Sequence, residues 1–314
     1  MINKNSKIII PGAAGLVGQN LIIMLRELGY WNIVAIDQHE YNLRYLRELH
    51  PEIEVIQADL AQQGDWARFF AGGDVLIMLQ AQITSKTSAP FDRNNIQSTQ
   101  FIINAAKQYD IPYIVHISSS VVISVADDDY TRTKTVQEEM VRNSGINHCV
   151  VRPTLMFGWF DRKHLGWLSR FMKRIPIFPI PGDGKFMRQP LYVRDFCSVI
   201  IKCMELQPEN KVYNITGKEK IDYIDIIRTI KRIKKLPTLI ITIPFGFFEF
   251  LLRFYALFSK KPPFTADQLK ALAAGDHFPE DPWWDEFQVE ATPFEKAMYD
   301  THHHPRYSNY ILKR

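Results

Sequence analysis

The stretch Ile8-Ile9-Ile10-Pro11-Gly12-Ala13-Ala14-Gly15-Leu16-Val17-Gly18 decides how the rest of the chain is read. A β-branched apolar run stops at Ile10, a glycine-rich turn follows, and from Val17 to Leu28 apolar residues recur at helical spacing. Strand, glycine turn, helix is the context in which a glycine pattern holds a dinucleotide phosphate. Gly12 permits the tight turn. Gly15 lets the backbone approach a pyrophosphate, and Gly18 lets the helix pack against the strand. Leu16 and Val17 open the helix, whose first N–H groups lack intrahelical partners and face the anion. The spacing is G-x-x-G-x-x-G rather than the commoner G-x-G-x-x-G, and such a turn also occurs in a purely structural role.

Working outward, the next apolar run, residues 33–36, ends at Asp37, 19 residues after Gly18. An acid there hydrogen-bonds the adenosine ribose hydroxyls and disfavours a 2′-phosphate, which predicts NAD rather than NADP. The alternative is an Asp that caps the next helix. Three more apolar runs follow: residues 53–58 into Asp59-Leu60, 75–79 into Gln80-Ala81-Gln82, and 113–117 into Ser118-Ser119-Ser120. Helical stretches over 43–49, 66–70 and 95–109 separate them. Strands alternating with helices predict an α/β fold, a Rossmann-type doubly wound parallel sheet that binds ligands at its carboxyl edge. We expect residues 1–155 to form this domain. Residues 156–314 should form mainly a smaller substrate lobe, with some segments returning to the Rossmann core.

Tyr130-Thr131-Arg132-Thr133-Lys134 opens the next helical stretch. Tyr and Lys at i and i+4 share a helix face. An ammonium near a phenol lowers a pKa that is about 10 unperturbed. With a serine hydroxyl beside both, the set forms a proton relay suited to hydride transfer at a carbinol carbon.

Taken in order, Gly12-x-x-Gly15-x-x-Gly18, Asp37, Asp59-Leu60, the serine cluster, Tyr130-x-x-x-Lys134 and Val151-Arg152-Pro153-Thr154 resemble an extended short-chain dehydrogenase/reductase. The group is the NAD-dependent epimerase/dehydratase group that acts on nucleotide sugars. The resemblance runs from about Ser6 to Lys220 and continues weakly to about Ala274. It implies Tyr130 as catalytic acid/base and Lys134 as ribose contact and pKa tuner. It implies Ser119 as the catalytic hydroxyl, with Ser118 and Ser120 one residue away. Asp59 and Leu60 would flank the adenine, Gln80 and Ala81 would line the cofactor channel, and residues 153–155, Pro153 and Leu155 among them, would cover the nicotinamide. In Phe186-Met187-Arg188-Gln189-Pro190, Arg188 matches an arginine that grips the substrate diphosphate, a task suited to a guanidinium. The resemblance also implies a homodimer. The chain departs from the family between serine and tyrosine. Only 11 residues separate Ser119 from Tyr130, and Val-Val-Ile-Ser-Val replaces the usual Val-Tyr-Gly. The shorter excursion removes one wall of the usual substrate pocket.

Other segments read as structural. Asp127-Asp128-Asp129 biases a helix N-terminus, and Asp195 is the expected N-cap of a helix through Met204. Residues 178–185 are rich in turn residues, and Tyr213-Asn214-Ile215 reads as a later strand. In the apolar, aromatic stretch 239–258, Phe247, Phe250, Leu251, Phe254 and Phe258 recur at helical spacing. We read an amphipathic helix covering the small lobe, in preference to membrane-surface contact. Thr265 reads as the N-cap of a helix to Ala274, and His302-His303-His304 as a solvated tail rather than a metal site.

The composition fits these readings. The 314 residues carry a net charge of only +4, and no basic block long enough for nucleic acid occurs; Lys231-Arg232-Ile233-Lys234-Lys235 suits a helix end. Cys149, Cys197 and Cys203 match neither a disulfide framework nor a metal spacing. With the first strand beginning at once and no signal segment read, a reducing, cytoplasmic setting is expected. The function expected is an NAD-dependent epimerase or ketoreductase of a nucleotide-activated sugar, with no metal. The alternatives are a steroid- or flavonoid-type dehydrogenase and a non-catalytic NAD-binding scaffold.

Overall fold

The computed structural model describes residues 2–124, 128–258, 279 and 281–313. Seven strands form the central sheet: β1 (Ile8–Pro11), β2 (Ile33–Asp37), β3 (Glu54–Gln57), β4 (Val75–Met78), β5 (Tyr113–Ile117), β6 (Asn147–Pro153) and β7 (Lys211–Ile215). Their order is β7-β6-β5-β4-β1-β2-β3, every neighbouring pair parallel. The chain winds outward from β1 to β3, then returns across β1 to β4 and winds the other way. That reversal leaves a crevice at the carboxyl ends of β1 and β4, where the glycine turn lies.

Strands buried on both faces must be apolar on both faces. β1 shows this residue by residue. Ile8 and Ile10 join one core with Leu21, Ile22 and Leu25, while Ile9 joins the opposite core with Leu76, Ile102 and Ile114. The first core lies under α1 (Leu16–Glu27) and also holds Val193, Phe196 and Ile200. The helices beside the sheet are α2 (Glu40–Leu49), α3 (Ser98–Gln108) and α4 (Asp129–Arg142). The later helices are α5 (His164–Met172), α6 (Val193–Leu206), α7 (Tyr223–Ile233) and α8 (Phe245–Phe258). A separate core gathers Met172, Phe178, Ile180, Ile227, Ile230 and Met298. No helix among the described residues is long and apolar enough to cross a membrane.

Several local expectations change. Residues 65–70 form a 3₁₀ turn, Asp65–Phe70, instead of an α-helix, and a π-helical turn, Asp92–Gln97, precedes α3. The turn-rich stretch begins as a strand, Ile177–Pro181, parallel to Leu239–Ile243. Its two prolines cost little in a two-stranded ribbon, where each strand has an open edge. Asp195 is not the cap of α6. It lies inside the helix, and its carboxylate accepts Thr292 N–H at 2.8 Å and Thr292 Oγ1–H at 2.7 Å, tying a distant segment to the first turn. Asp128 does cap α4, accepting Thr131 N–H at 2.7 Å, whereas Asp127 lies outside the described residues. α8 does not cover the small lobe with its aromatic stripe: Phe247, Phe250 and Phe254 are each more than half exposed. The helix read over 265–274 lies outside the described residues. The three histidines close a helix, Phe294–His303, and His304 packs against Trp159 at 4.4 Å between ring centroids.

Candidate active site

A cavity of about 500 Å³ opens at the crevice, and its wall begins with the glycine turn. Gly12 has φ +82, and a Cβ there would fall 2.5 Å from the backbone nitrogen of Gln80, so the turn can lie against the end of β4 only with glycine. A Cβ on Gly18 would fall 2.3 Å from the Ala13 carbonyl oxygen; its close contact is the turn itself rather than the strand. A Cβ on Gly15 would meet only the Gly12 carbonyl oxygen, at 3.4 Å, and otherwise the cavity. Gly15 stands at the N-cap of α1, which has no side-chain cap and no acid in its first turn. An open glycine, an uncapped helix start and a cavity beside them fit a dinucleotide pyrophosphate.

Asp37 is buried at the same end and lines the cavity. Its carboxylate accepts Ala14 N–H at 3.0 Å and His39 N–H at 3.0 Å, fixing the glycine turn. Asp59 and Leu60 line the same end. Asp59 accepts Ala61 N–H at 3.0 Å and is bridged by Arg93.

At the other end of the cavity stand Ser119, Tyr130, Lys134, Pro153 and Leu155, with Gln80 and Ala81 between. The three serines diverge. Ser118 donates to Glu138 Oε2 at 2.6 Å, whereas Ser119 hydrogen-bonds Tyr130. Residue by residue, every position read for cofactor binding, and Ser119 with them, lines this one cavity. Arg188 does not. It lies on a two-residue strand, Met187–Arg188, paired antiparallel with Ile221–Asp222, and its charge acts on the Tyr223 hydroxyl. The arginine and the lysines that do reach the wall from this half of the chain are Arg162, Lys163 and Lys313.

The electrostatics differ from expectation. Burial raises the Tyr130 phenol, Asp128 adds to this, and the Ser119 hydrogen bond opposes it. Lys134 does not offset that burial. Its Nζ is fully buried and donates to the Ile117 carbonyl at 2.9 Å and to Gln137 Oε1 at 2.5 Å, and burial pulls its pKa down to about 7. Directed at these other partners, the Lys134 ammonium is not among the groups that act on the phenol.

Sequence reading missed the residues that hold these groups. Gln137 links Lys134 to Thr99 Oγ1, at 2.8 Å, and to the Gln80 carbonyl, at 3.3 Å. Glu138, four residues beyond Lys134 on the same face, is buried and takes Arg152 Nε at 3.0 Å as well as Ser118. Asn95, in the π-helical turn, accepts Gln82 N–H at 2.6 Å and donates to Thr133 Oγ1 at 2.9 Å, joining the loop after β4 to α4. The spacing of Glu138 was a usable signal; nothing in the sequence marks a π-helical turn.

Residues 8–216 match the NAD dependent epimerase/dehydratase family. The chain belongs to that family. The family is NAD-dependent, and its epimerases and dehydratases are oxidoreductase and isomerase enzymes. Among curated relatives, the chain is 26% identical over 240 residues to the low-salt glycan biosynthesis protein Agl12 of Haloferax volcanii, covering 66% of this chain and 76% of that one. It is also 24% identical to subunit 9 of the NADH dehydrogenase [ubiquinone] 1 alpha subcomplex of Dictyostelium discoideum, covering 82% and 73%. Its fold is shared with a UDP-glucuronic acid 4-epimerase from Bacillus cereus solved in complex with NAD (TM-score 0.67, 23% identity, 85% of this chain and 99% of that one).

Proposed function

We propose that this family member is an epimerase or ketoreductase of a nucleotide-activated sugar, with Tyr130 as its acid/base. One observation carries the reading: the Ser119–Tyr130 pair and Lys134 line the same cavity as the glycine turn and Asp37. NAD, when bound, supplies the hydride acceptor and donor. Ser119 orients the substrate oxygen and the Tyr130 hydroxyl. Tyr130, once ionised to the phenolate, takes the proton of the reacting sugar hydroxyl and gives it back when the keto group is reduced. Lys134 would hold the nicotinamide ribose, its ammonium anchored by the Ile117 carbonyl and Gln137. Pro153 and Leu155 exclude water at that end. The nucleotide-sugar class is supported by the Bacillus cereus neighbour, itself a UDP-glucuronic acid 4-epimerase.

The likeness to the Dictyostelium complex subunit favours a second reading, a non-catalytic NAD-binding subunit. A thermal-shift screen of UDP- and dTDP-sugars with and without NAD separates the two, because a true ligand stabilises by mass action. The proposal expects one sugar class to raise Tm and to be converted in the presence of NAD. Stabilisation by NAD alone, with no sugar bound or turned over, would favour the subunit reading. Arg188→Ala, outside the cavity, should leave NAD affinity unchanged in titration calorimetry. Loss of nucleotide-sugar affinity in that variant would place the substrate diphosphate at the Met187–Arg188 strand.

A further inference from the structure

Beyond the family match, the described chain returns to the cofactor cavity at its far end: Leu312 and Lys313 line the wall together with Asp37, His39 and Asn42. Asn42, in the first turn of α2, is only 5% exposed. Its amide Nδ2 donates to the Lys313 carbonyl at 3.1 Å, and its Oδ1 accepts Lys313 N–H at 2.9 Å. A side-chain amide thus reproduces the two-bond pairing of a neighbouring strand on a single residue. The Asn42 carbonyl in turn accepts Gln19 Nε2 at 2.9 Å, so the pin reaches the helix that presents the pyrophosphate turn. Leu312 is buried with Ile23, Leu49 and Phe160. Ile311 bridges Phe160, whose own segment lines the cavity, and Tyr310 donates to Glu48 Oε1 at 2.7 Å. Lys313 Nζ stands 3.7 Å from the centre of the Tyr41 ring.

We propose that Leu312 and Lys313, pinned by Asn42, form part of the wall of the adenosine half of the NAD site and hold the cofactor there. The inference rests on the NAD reading of the cavity and goes beyond it. Leu312 and Lys313 line the cavity with Asp37, His39 and Asn42, so opening of the Asn42–Lys313 bonds should loosen this wall and speed release of the ADP half. Pre-formed enclosure raises affinity by sparing the ordering cost at binding. It slows dissociation more than association.

Two variants test this: Asn42→Leu, which keeps the branched shape and removes both bonds, and a chain stopped after Tyr310. NAD and ADP-ribose are titrated into each by calorimetry, their release is followed by stopped flow, and folding is checked by circular dichroism and Tm. Both variants should bind NAD and ADP-ribose roughly tenfold more weakly, by the same factor for each, with faster release. Affinities within about twofold of wild type in folded variants would overturn the proposal, since such a result, even with a lowered Tm, marks the segment as structural only. Should the shortened chain not fold, Asn42→Leu alone decides. A wild-type chain that binds neither ligand would overturn the cofactor reading itself, a result distinct from unchanged variants.

Discussion

At the scale of single residues, the chemistry depends on groups whose protonation is set by burial. Lys134 has a folded pKa of about 7, well below its ordinary 10.5. Between those values the unfolded chain binds the proton and the folded one does not, so stability rises as pH increases from about 7; below that, both states are protonated and the cost is constant. In the cofactor-free protein, urea midpoints at pH 7 and 9 should therefore rise for wild type, and the rise should shrink in Lys134→Met. An unchanged rise would mean that Lys134 is not the group titrating. Asp37 makes a second prediction. A carboxylate at the adenosine end repels a 2′-phosphate, so NAD should bind more tightly than NADP, and Asp37→Ala should narrow the gap while weakening both, because Ala14 and His39 lose their acceptor. Tighter binding of NADP by the wild type would contradict this. These residues were legible because the chemistry needs particular residue types at particular distances from the strand ends. What the phenol experiences was not legible: the Tyr130–Lys134 spacing suggests a charge acting on a hydroxyl, but the Ile117 carbonyl and Gln137 take the ammonium first.

At the scale of elements, the glycine turn separates structural from binding glycines. Gly12→Ala combines φ +82 with a 2.5 Å clash against Gln80 and should destabilise the fold by roughly 1–3 kcal/mol. Gly15→Ala meets only one atom at 3.4 Å, so Tm in the absence of cofactor should stay near wild type while NAD affinity falls, because the methyl group occupies the cavity. A folded Gly15→Ala protein with normal NAD affinity would remove the pyrophosphate from that turn. The strands were readable because their burial on both faces demands continuous apolar runs. The π-helical turn at Asp92–Gln97 and the strand Ile177–Pro181 were not, since each depends on a distant partner: Gln82 and Thr133 for the first, Leu239–Ile243 for the second. α8 shows the converse. Its helical period was plain, but a period names a face and not the surface that face meets, and here the aromatic face meets solvent.

At the scale of the molecule, histidines buried in their neutral form weaken the fold in acid. Burial lowers His50 to about 4 and His116 well below the ordinary 6.5. As pH falls below about 6.5 the unfolded chain takes these protons and the folded chain resists, so stability declines toward pH 4. Asp161, raised to about 7 by burial, works in the opposite sense over the same range. The urea midpoint should drop between pH 7 and 4.5, and less so in His50→Gln; an equal drop would show that His50 is not a contributor. The whole account converges on Tyr130, half-buried at the cavity wall with Ser119 as its hydrogen-bond partner. Tyr130→Phe keeps the ring and removes only the oxygen proposed to move a proton. Measured on the nucleotide sugar that the screen identifies, with NAD saturating, its turnover should fall by roughly 10²–10⁴-fold while NAD affinity holds; turnover close to wild type would contradict the assignment of Tyr130 as the acid/base.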